Sequence, residues 1–460
     1  MSSSQSDLIY PLDARPPFME ATFAAIQHVL ASFVGIITPT LIIGGVLGLG
    51  EHIPYLISMA LMVSGVGTFI QARRPLGVGA GMICVQGTSF AFLGSILAAG
   101  FIAKGKGGGP DEILSLIFGV CLLGAFIEIF LSQVMHKLKR VITPLVTGIV
   151  ITIIGVSLIK VGMTDLAGGF KAEDFGSLQN LGLGLFVLTL IIILNRSKNQ
   201  FLRLTSIVVG LAAGFVVAGL MGKLNFSHLS SLPMVSIPVP FKYGFSFDFS
   251  AFLPIALIYV ITTIETTGDI TANCLISKQP IEGNTYLQRI KGGVLGDGVN
   301  SALAAVFNTF PNTTFSQNNG VIQLTGIASR YVGMYIAGLL VLLGFFPIIG
   351  GVLQQIPKPV LGGATLVMFG TVAAAGVKIL AGEDLDRRKM LIMAVSFGVG
   401  LGVSMVPDLL AATPKLVQNV FGSPITTGGL TAIILSLILP DESVSEKTVE
   451  TIEKGETAGV

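Results

Sequence analysis

The feature that most constrains this chain is a succession of apolar runs about 20 residues long, the length an α-helix needs to cross a bilayer. Such runs lie near 20–44, 53–71, 81–103, 113–133, 142–161, 178–195, 202–222, 250–270, 290–308, 313–328, 330–353, 359–380, 389–406 and 427–440, fourteen in all. Charge is correspondingly scarce: 27 Lys and Arg and 25 Asp and Glu make up 11% of the residues, against roughly 25% in a soluble domain. A soluble fold of this length needs a polar surface that the sequence cannot provide. The net charge of +2 leaves no basic footprint for nucleic acid. Cys84, Cys121 and Cys274 fall in apolar runs without metal-ligand spacing and read as packing residues. The chain reads as an all-α polytopic membrane protein.

Loop charges test the count and set the orientation. With the N-terminus inside, seventeen Lys and Arg fall on the cytoplasmic side and eight outside, while Lys291 and Lys378 lie within or at the ends of spans. Lys291 reads as a snorkelling helix-end residue. The clusters Lys137–Arg140 and Arg387–Lys389 carry most of the bias. The positive-inside rule then predicts an even number of spans with both termini cytoplasmic. Residues 1–19 read as a cytoplasmic tail, because a single Arg and no basic n-region precede the first apolar run, which is therefore retained. Residues 441–460 read as a second tail.

The chain also repeats itself. Pro144-Leu-Val-Thr-Gly148 followed by Gly155 recurs as Pro359-Val-Leu-Gly-Gly363 followed by Gly370, 215 residues later, at the openings of spans five and twelve. Seven spans per half is an odd number, so the second half is expected to lie inverted in the membrane, as in many secondary transporters. Spans three and ten, at equivalent places in the halves, read poorly as helices. Span ten opens Phe310-Pro-Asn-Thr-Thr-Phe-Ser-Gln-Asn-Asn-Gly320, which predicts no helix until about Asn319. Span three contains Gly81-Met-Ile-Cys-Val-Gln-Gly-Thr-Ser89. Irregular backbone at membrane depth is tolerated only where protein buries it or it lines a cavity. Two short β-strands pairing there, each feeding a half-helix with its N-terminal N–H groups at the membrane centre, satisfy that requirement.

The ionisable residues within spans are His28, Glu128, Glu265, Asp269, Lys291 and Asp297. An intramembrane charge is a functional candidate by default. Glu265 and Asp269 lie at i and i+4 on one helix face. Two carboxylates so close in low dielectric do not both ionise readily, which suits a proton-coupled carrier. Asp297, in Gly292-Gly-Val-Leu-Gly-Asp-Gly298, sits where a neighbouring backbone can approach and reads as a residue that organises the site. His28 is either functional or a helix–helix hydrogen-bonder. Glu128 reads as structural or peripheral. No metalloprotease, Walker or nucleophile-elbow motif is present, so neither an enzyme nor an ATP-driven pump is expected, and no cofactor or metal is implied.

The ten residues Gln317-Asn-Asn-Gly-Val-Ile-Gln-Leu-Thr-Gly326 meet every fixed position of the signature Gln/Glu-Asn-x-Gly-x4-Thr-Arg/Lys/Gly. In them, in Gln27-His28, Gln86-Gly-Thr-Ser-Phe90, Glu265…Asp269, Lys291…Asp297 and Pro359–Ala364, the chain resembles the nucleobase–ascorbate transporter family, most of all its bacterial xanthine permeases. The resemblance implies fourteen transmembrane segments in two inverted seven-span repeats. The implied core domain takes residues 20–133 and 249–355, the gate domain 134–224 and 356–440. It also implies a homodimer in the bacterial cytoplasmic (inner) membrane, with a small purine and H+ as partners. By position, Glu265 and Gln317 become the substrate-binding pair, joined at the substrate by Ser89, Phe90 and Asn318; Asp297 and Asn318 are essential partners, and Asp269, Asp297 and His28 couple the proton or organise the site; Gly320, Thr325 and Gly326 complete the motif. Phe90 would stack on the substrate ring. Ser89 stands where some xanthine-selective members carry Asn, and the smaller side chain leaves room for uric acid. Gly326 fits the bacterial purine type and departs from the eukaryotic one. The expected function is proton-coupled xanthine uptake by an elevator-like motion, with uric acid a further candidate substrate. The rivals are a uracil permease of the same family, which tends to open the motif with Glu, and an anion exchanger or channel of the same architecture.

Overall fold

The computed structural model describes residues 8–135, 143–170, 172–199, 202–203, 205–224 and 232–439. The Lys137–Arg140 cluster and the tail 441–460 lie outside them. The chain opens with α1 (Phe18–Leu47) and α2 (Ile53–Arg73). An extended passage then carries β1 (Gln86–Thr88) into α3 (Leu93–Gly105), followed by α4 (Pro110–Gln133). Next come α5 (Pro144–Leu166), α6 (Leu178–Asn195) and α7 (Ser206–Leu220). The second half runs α8 (Phe249–Ile276), α9 (Gly283–Val306), β2 (Asn312–Thr314) and α10 (Gln317–Thr325). It ends with α11 (Arg330–Gly344), α12 (Pro347–Gln354), α13 (Lys358–Leu380), α14 (Arg387–Met405), α15 (Lys415–Phe421) and α16 (Pro424–Ile438).

Local chemistry explains several starts. Asp248 caps α8 by accepting from the amides of Ser250 (2.8 Å) and Ala251 (3.1 Å). The hydroxyl of Thr143 caps α5, and Pro144 takes a first-turn position where its missing N–H costs nothing. Pro359 does the same at the start of α13.

Among the described residues, eight helices are long and apolar enough to cross a membrane, or ten if the bent pairs α11–α12 (75°) and α15–α16 (79°) each count once. Every apolar run read from the sequence contains a helix, but α3, α7 and α10 are short. The 24-residue α9 carries Arg289, Lys291 and Asp297 and is too polar to qualify. That helix begins eight residues before Lys291, so this side chain is exposed well inside a helix and not at its end.

The two interrupted segments meet. β1 and β2 pair antiparallel, Gln86 opposite Thr314, Gly87 opposite Thr313 and Thr88 opposite Asn312. Further bonds extend the ladder: the Ser89 amide donates to Pro311 O (2.8 Å) and the Phe315 amide to Val85 O (2.9 Å). The helix α10 starts at Gln317, two residues earlier than the polar run suggested, because Phe315 O and Ser316 O already accept from the amides of Asn318 and Asn319.

Around this crossover, α5 packs along α13, α2 along α11 and α4 along α9. The α5–α13 contact is close because it is built on small residues. A Cβ at Gly155 would lie 2.3 Å from the Ala373 nitrogen, and one at Gly376 2.4 Å from the Thr152 hydroxyl. Gly370, the expected counterpart of Gly155, faces open space.

Candidate functional site

A cavity of about 190 Å³ opens between the strand crossover and the α5–α13 pair. From the crossover side it is lined by Phe90 and Ala91, by Glu265 and Asp269 of α8, and by the continuous run Thr313–Gln317, with Ala31 of α1 alongside. The opposite wall comes from Ile151, Ile154 and Leu158 of α5, Ile207 of α7, and Met368, Phe369, Thr371, Val372 and Ala375 of α13. Every carboxyl and amide side chain is on the first wall; the second is aliphatic and aromatic except for Thr371. Among the described residues, no Lys, Arg or His lines the cavity.

The i, i+4 spacing does place Glu265 and Asp269 together on the cavity face of α8. They differ in freedom. Asp269 accepts from the Thr314 hydroxyl (3.3 Å), and its backbone carbonyl accepts from the Asn319 amide group (3.2 Å). Glu265 Oε2 is buried with no hydrogen-bond partner among the described residues. A buried carboxyl oxygen without a partner is costly unless a ligand or proton completes it. Gln317 opens α10 with an exposed side chain at the cavity. The amides of Phe90, Ala91, Ser316 and Gln317 donate to no described residue, so the two half-helix starts present free N–H groups beside the carboxyls. Phe90 meets Phe369 edge to face, with ring centroids 5.1 Å apart.

Asp297 is fully buried and stays behind the cavity wall. Its Oδ1 accepts from Gln71 Nε2 (2.7 Å) and Gln86 Nε2 (2.6 Å). Its Oδ2 accepts from the Thr266 hydroxyl (2.5 Å), the Thr314 amide (3.3 Å) and the Thr313 hydroxyl (3.4 Å). One side chain thus ties α2, β1, α8 and β2 to α9. Both glutamines are locked in turn, since Gln71 Oε1 accepts from the Ala80 amide and Gln86 Oε1 from Asn300 Nδ2. The sequence reading named Asp297 as an organiser but missed Gln71 and Thr266, whose residue types carry no signal by themselves.

Ser89, Asn318 and His28 are buried and lie outside the cavity lining. The Ser89 hydroxyl, both polar atoms of the Asn318 amide and both His28 ring nitrogens have no hydrogen-bond partner among the described residues. Glu128 is buried on α4 and accepts from the Thr262 hydroxyl (3.4 Å), a packing role. The end of the motif is structural: Thr325 bonds back to Val321 O (2.8 Å), and Gly326 closes α10 in the left-handed region at φ 69°, where glycine carries no penalty. Gly320 faces open space.

A bundle of apolar helices around a cavity with one polar and one apolar wall, with two half-helices starting beside it, defines a multi-pass membrane transporter. The Xan_ur_permease family model, described as "Permease family", matches residues 19–409. The chain is 48% identical to the xanthine permease XanP of Escherichia coli (strain K12) over 445 residues, 96% of each chain. It is 46% identical to the xanthine permease XanQ of the same organism over 455 residues, 98% of each. The uric acid permease PucJ of Bacillus subtilis (strain 168) is 35% identical over 437 residues, 93% of this chain and 94% of that one. The chain belongs to this permease family, the nucleobase–ascorbate transporters. Its fold is similar to the transmembrane domain of a cyanobacterial bicarbonate transporter, BicA (TM-score 0.52, 15% identity, 91% of this chain and 97% of that one). It is also similar to the murine anion transporter Slc26a9 in its inward-facing state (TM-score 0.61, 11% identity, 92% and 68%).

Proposed function

We propose that this protein is a proton-coupled xanthine uptake carrier of the bacterial cytoplasmic membrane, with uric acid as a second substrate. One observation carries the reading: the Glu265 carboxyl, with an unpartnered oxygen, and the Gln317 amide line one cavity in a chain 46–48% identical to xanthine permeases. A purine dione offers ring N–H donors, which a carboxylate accepts, and carbonyl oxygens, which the amide NH₂ and the free half-helix N–H groups serve. Phe90 supplies an aromatic face for the ring. Glu265 and Asp269 are the candidates for the coupled proton, while Asp297, His28, Ser89 and Asn318 act by shaping the wall around them.

The further proposals concern architecture. The four helices too short or polar to qualify alone complete fourteen spans, with both termini cytoplasmic. Packing supports two inverted repeats: exchanging spans seven apart converts the α2–α11 pair into α9–α4, and α5–α13 into itself. Residues 20–133 and 249–355 form a core, and 134–224 and 356–440 a gate. The polar wall then belongs to the core and the apolar wall to the gate, a division suited to an elevator that slides a substrate past a smooth surface. The functional unit is a homodimer.

The fold similarity to anion transporters supports a rival reading as an anion exchanger or channel. Two carboxyls in a cavity without a cation repel an anion and count against it. Uptake of radiolabelled xanthine into a strain lacking xanthine uptake, with unlabelled uric acid, uracil and bicarbonate as competitors, tests the proposal. Competition by uric acid but not uracil or bicarbonate is expected. Absence of xanthine uptake, or stronger competition by uracil, overturns it.

A further inference from the structure

A second cavity, of about 400 Å³, lies at the membrane face where α1 begins, α2 ends and α11 begins. It is lined by Arg15, Pro16, Arg73, Tyr331, Met334 and Tyr335, and holds two guanidinium groups with no acid among the described residues of its wall. Arg15 is fixed, stacked 4.8 Å above the Tyr331 ring with Nη2 3.5 Å from its hydroxyl. Arg73 is exposed and makes no hydrogen bond or ion pair with the described residues. The nearby acid, Asp13, is already paired with Arg330 (2.8 Å). The site therefore has positive charge to spare.

The cavity continues into an apolar groove. On α2, Phe69 and Val66 precede Arg73 by four and seven residues, share its face, and are 43% and 42% exposed. On α11, Gly338 and Leu342 follow Met334 by four and eight residues and are also exposed. A Cβ at Gly338 would meet nothing within 4 Å, so the space between these faces is open. The two helices run antiparallel in close contact, with Gly333 against Ala72. Phe69 and Val66 therefore match Gly338 and Leu342 in depth below the arginines. Exposed Phe18, in ring contact with Tyr335, flanks the mouth.

We propose that this is a binding site for one anionic phospholipid, its phosphate on Arg15 and Arg73 and an acyl chain along the α2–α11 groove. A free anion uses the arginines but not the groove, and a second copy of the chain meets two arginines without an acid partner. With the N-terminus cytoplasmic, as in the proposed topology, this lipid lies in the cytoplasmic leaflet; nothing else in the proposal rests on that topology. Occupancy has a route to the transport site. The segment holding Arg15 also donates from the Ile9 amide to Gly326 O (2.9 Å) and accepts from the Ala328 amide at Tyr10 O (2.9 Å), bracing the end of α10.

The test is native mass spectrometry of the purified full-length protein in detergent, with an equimolar mixture of dioleoyl phosphatidylglycerol and dioleoyl phosphatidylcholine. The wild type is expected to retain phosphatidylglycerol preferentially. The Arg15→Gln/Arg73→Gln variant should lose that preference by roughly fivefold per arginine, and Gly338→Leu should weaken both lipids. Monodispersity in gel filtration identifies variants that fold. Equal retention of the two lipids by wild type, an unchanged preference in a folded double variant, displacement by millimolar inorganic phosphate, or protection only in the dimer each overturns the proposal. None of these readouts depends on xanthine transport.

Discussion

Replacing Asp297 by Asn tests the claim that this residue organises the site from behind the cavity wall. The carboxyl receives two amide groups on Oδ1, and two hydroxyls and a backbone amide on Oδ2. Asn is isosteric but must turn an NH₂ toward one side. On the Oδ1 side it would face two donors, and neither glutamine can flip, because Gln71 Oε1 holds the Ala80 amide and Gln86 Oε1 holds Asn300. The NH₂ therefore turns to the Oδ2 side, where the Thr266 and Thr313 hydroxyls can rotate to accept. The Thr314 amide cannot, and it is left as a buried donor facing another donor. Such an orphan costs about 1–3 kcal/mol, and weakening the remaining bonds from charge-assisted to neutral adds about 1 kcal/mol. The expected loss is about 2–4 kcal/mol, felt at β2 beside the cavity. The assay is thermal unfolding of the detergent-solubilised protein, paired with xanthine uptake normalised to membrane content. A lower melting temperature with impaired uptake is expected. Wild-type melting and uptake together would refute the organising role.

Other consequences follow from the same geometry. Glu265→Gln and Gln317→Ala should each abolish xanthine uptake while membrane insertion, read by immunoblot, stays at the wild-type level; normal rates in either would remove that residue from the site. Gly87→Val should abolish uptake and lower the melting temperature, since a Cβ there would lie 2.4 Å from the Phe315 ring and 2.9 Å from Ile36, and wild-type behaviour would contradict the packing of β1. Asp248→Ala removes the cap of α8 and should destabilise the protein by about 1 kcal/mol, read as a lower melting temperature. The Lys106 ammonium at 2.6 Å holds the Asp248 carboxyl below the usual carboxylate range. Its stabilisation is therefore full above about pH 4 and is lost as pH falls through the depressed folded value. The gap between wild type and variant should shrink only below about pH 4, so a gap that closes between pH 7 and 5 would contradict the assignment.

What the sequence disclosed, and what it withheld, follows from contrast. Glu265, Asp269 and Asp297 stand out because charge is rare in apolar runs, and the polar stretch from Asn312 to Asn319 cannot be a lipid-facing helix. The strand pairing was inferable, since two unsatisfied extended backbones at the same depth have only each other. The ligands of Asp297 were not, because Gln71 and Thr266 sit 226 and 31 residues away and look ordinary locally. The opposite cavity wall was equally hidden: Met368 and Phe369 read as generic span residues until α13 packs on α5. The bend at 344–347 falls inside the single apolar run 330–353, as hydropathy records composition and not direction, while α15 and the bend at 421–424 precede the run 427–440 and lie outside it. Adjacency in the motif does not give adjacency at the cavity, for Asn318 follows Gln317 yet is buried outside the cavity lining.

The central claim is that a carboxyl in a cavity with no cation among its described lining residues couples a proton to a neutral purine. Its most direct measurement is accumulation of radiolabelled xanthine in proteoliposomes of the purified protein with an imposed pH gradient, acid outside. Accumulation above equilibrium that collapses with an uncoupler and vanishes in Glu265→Gln is the predicted result. Equal accumulation with and without the gradient would contradict the account.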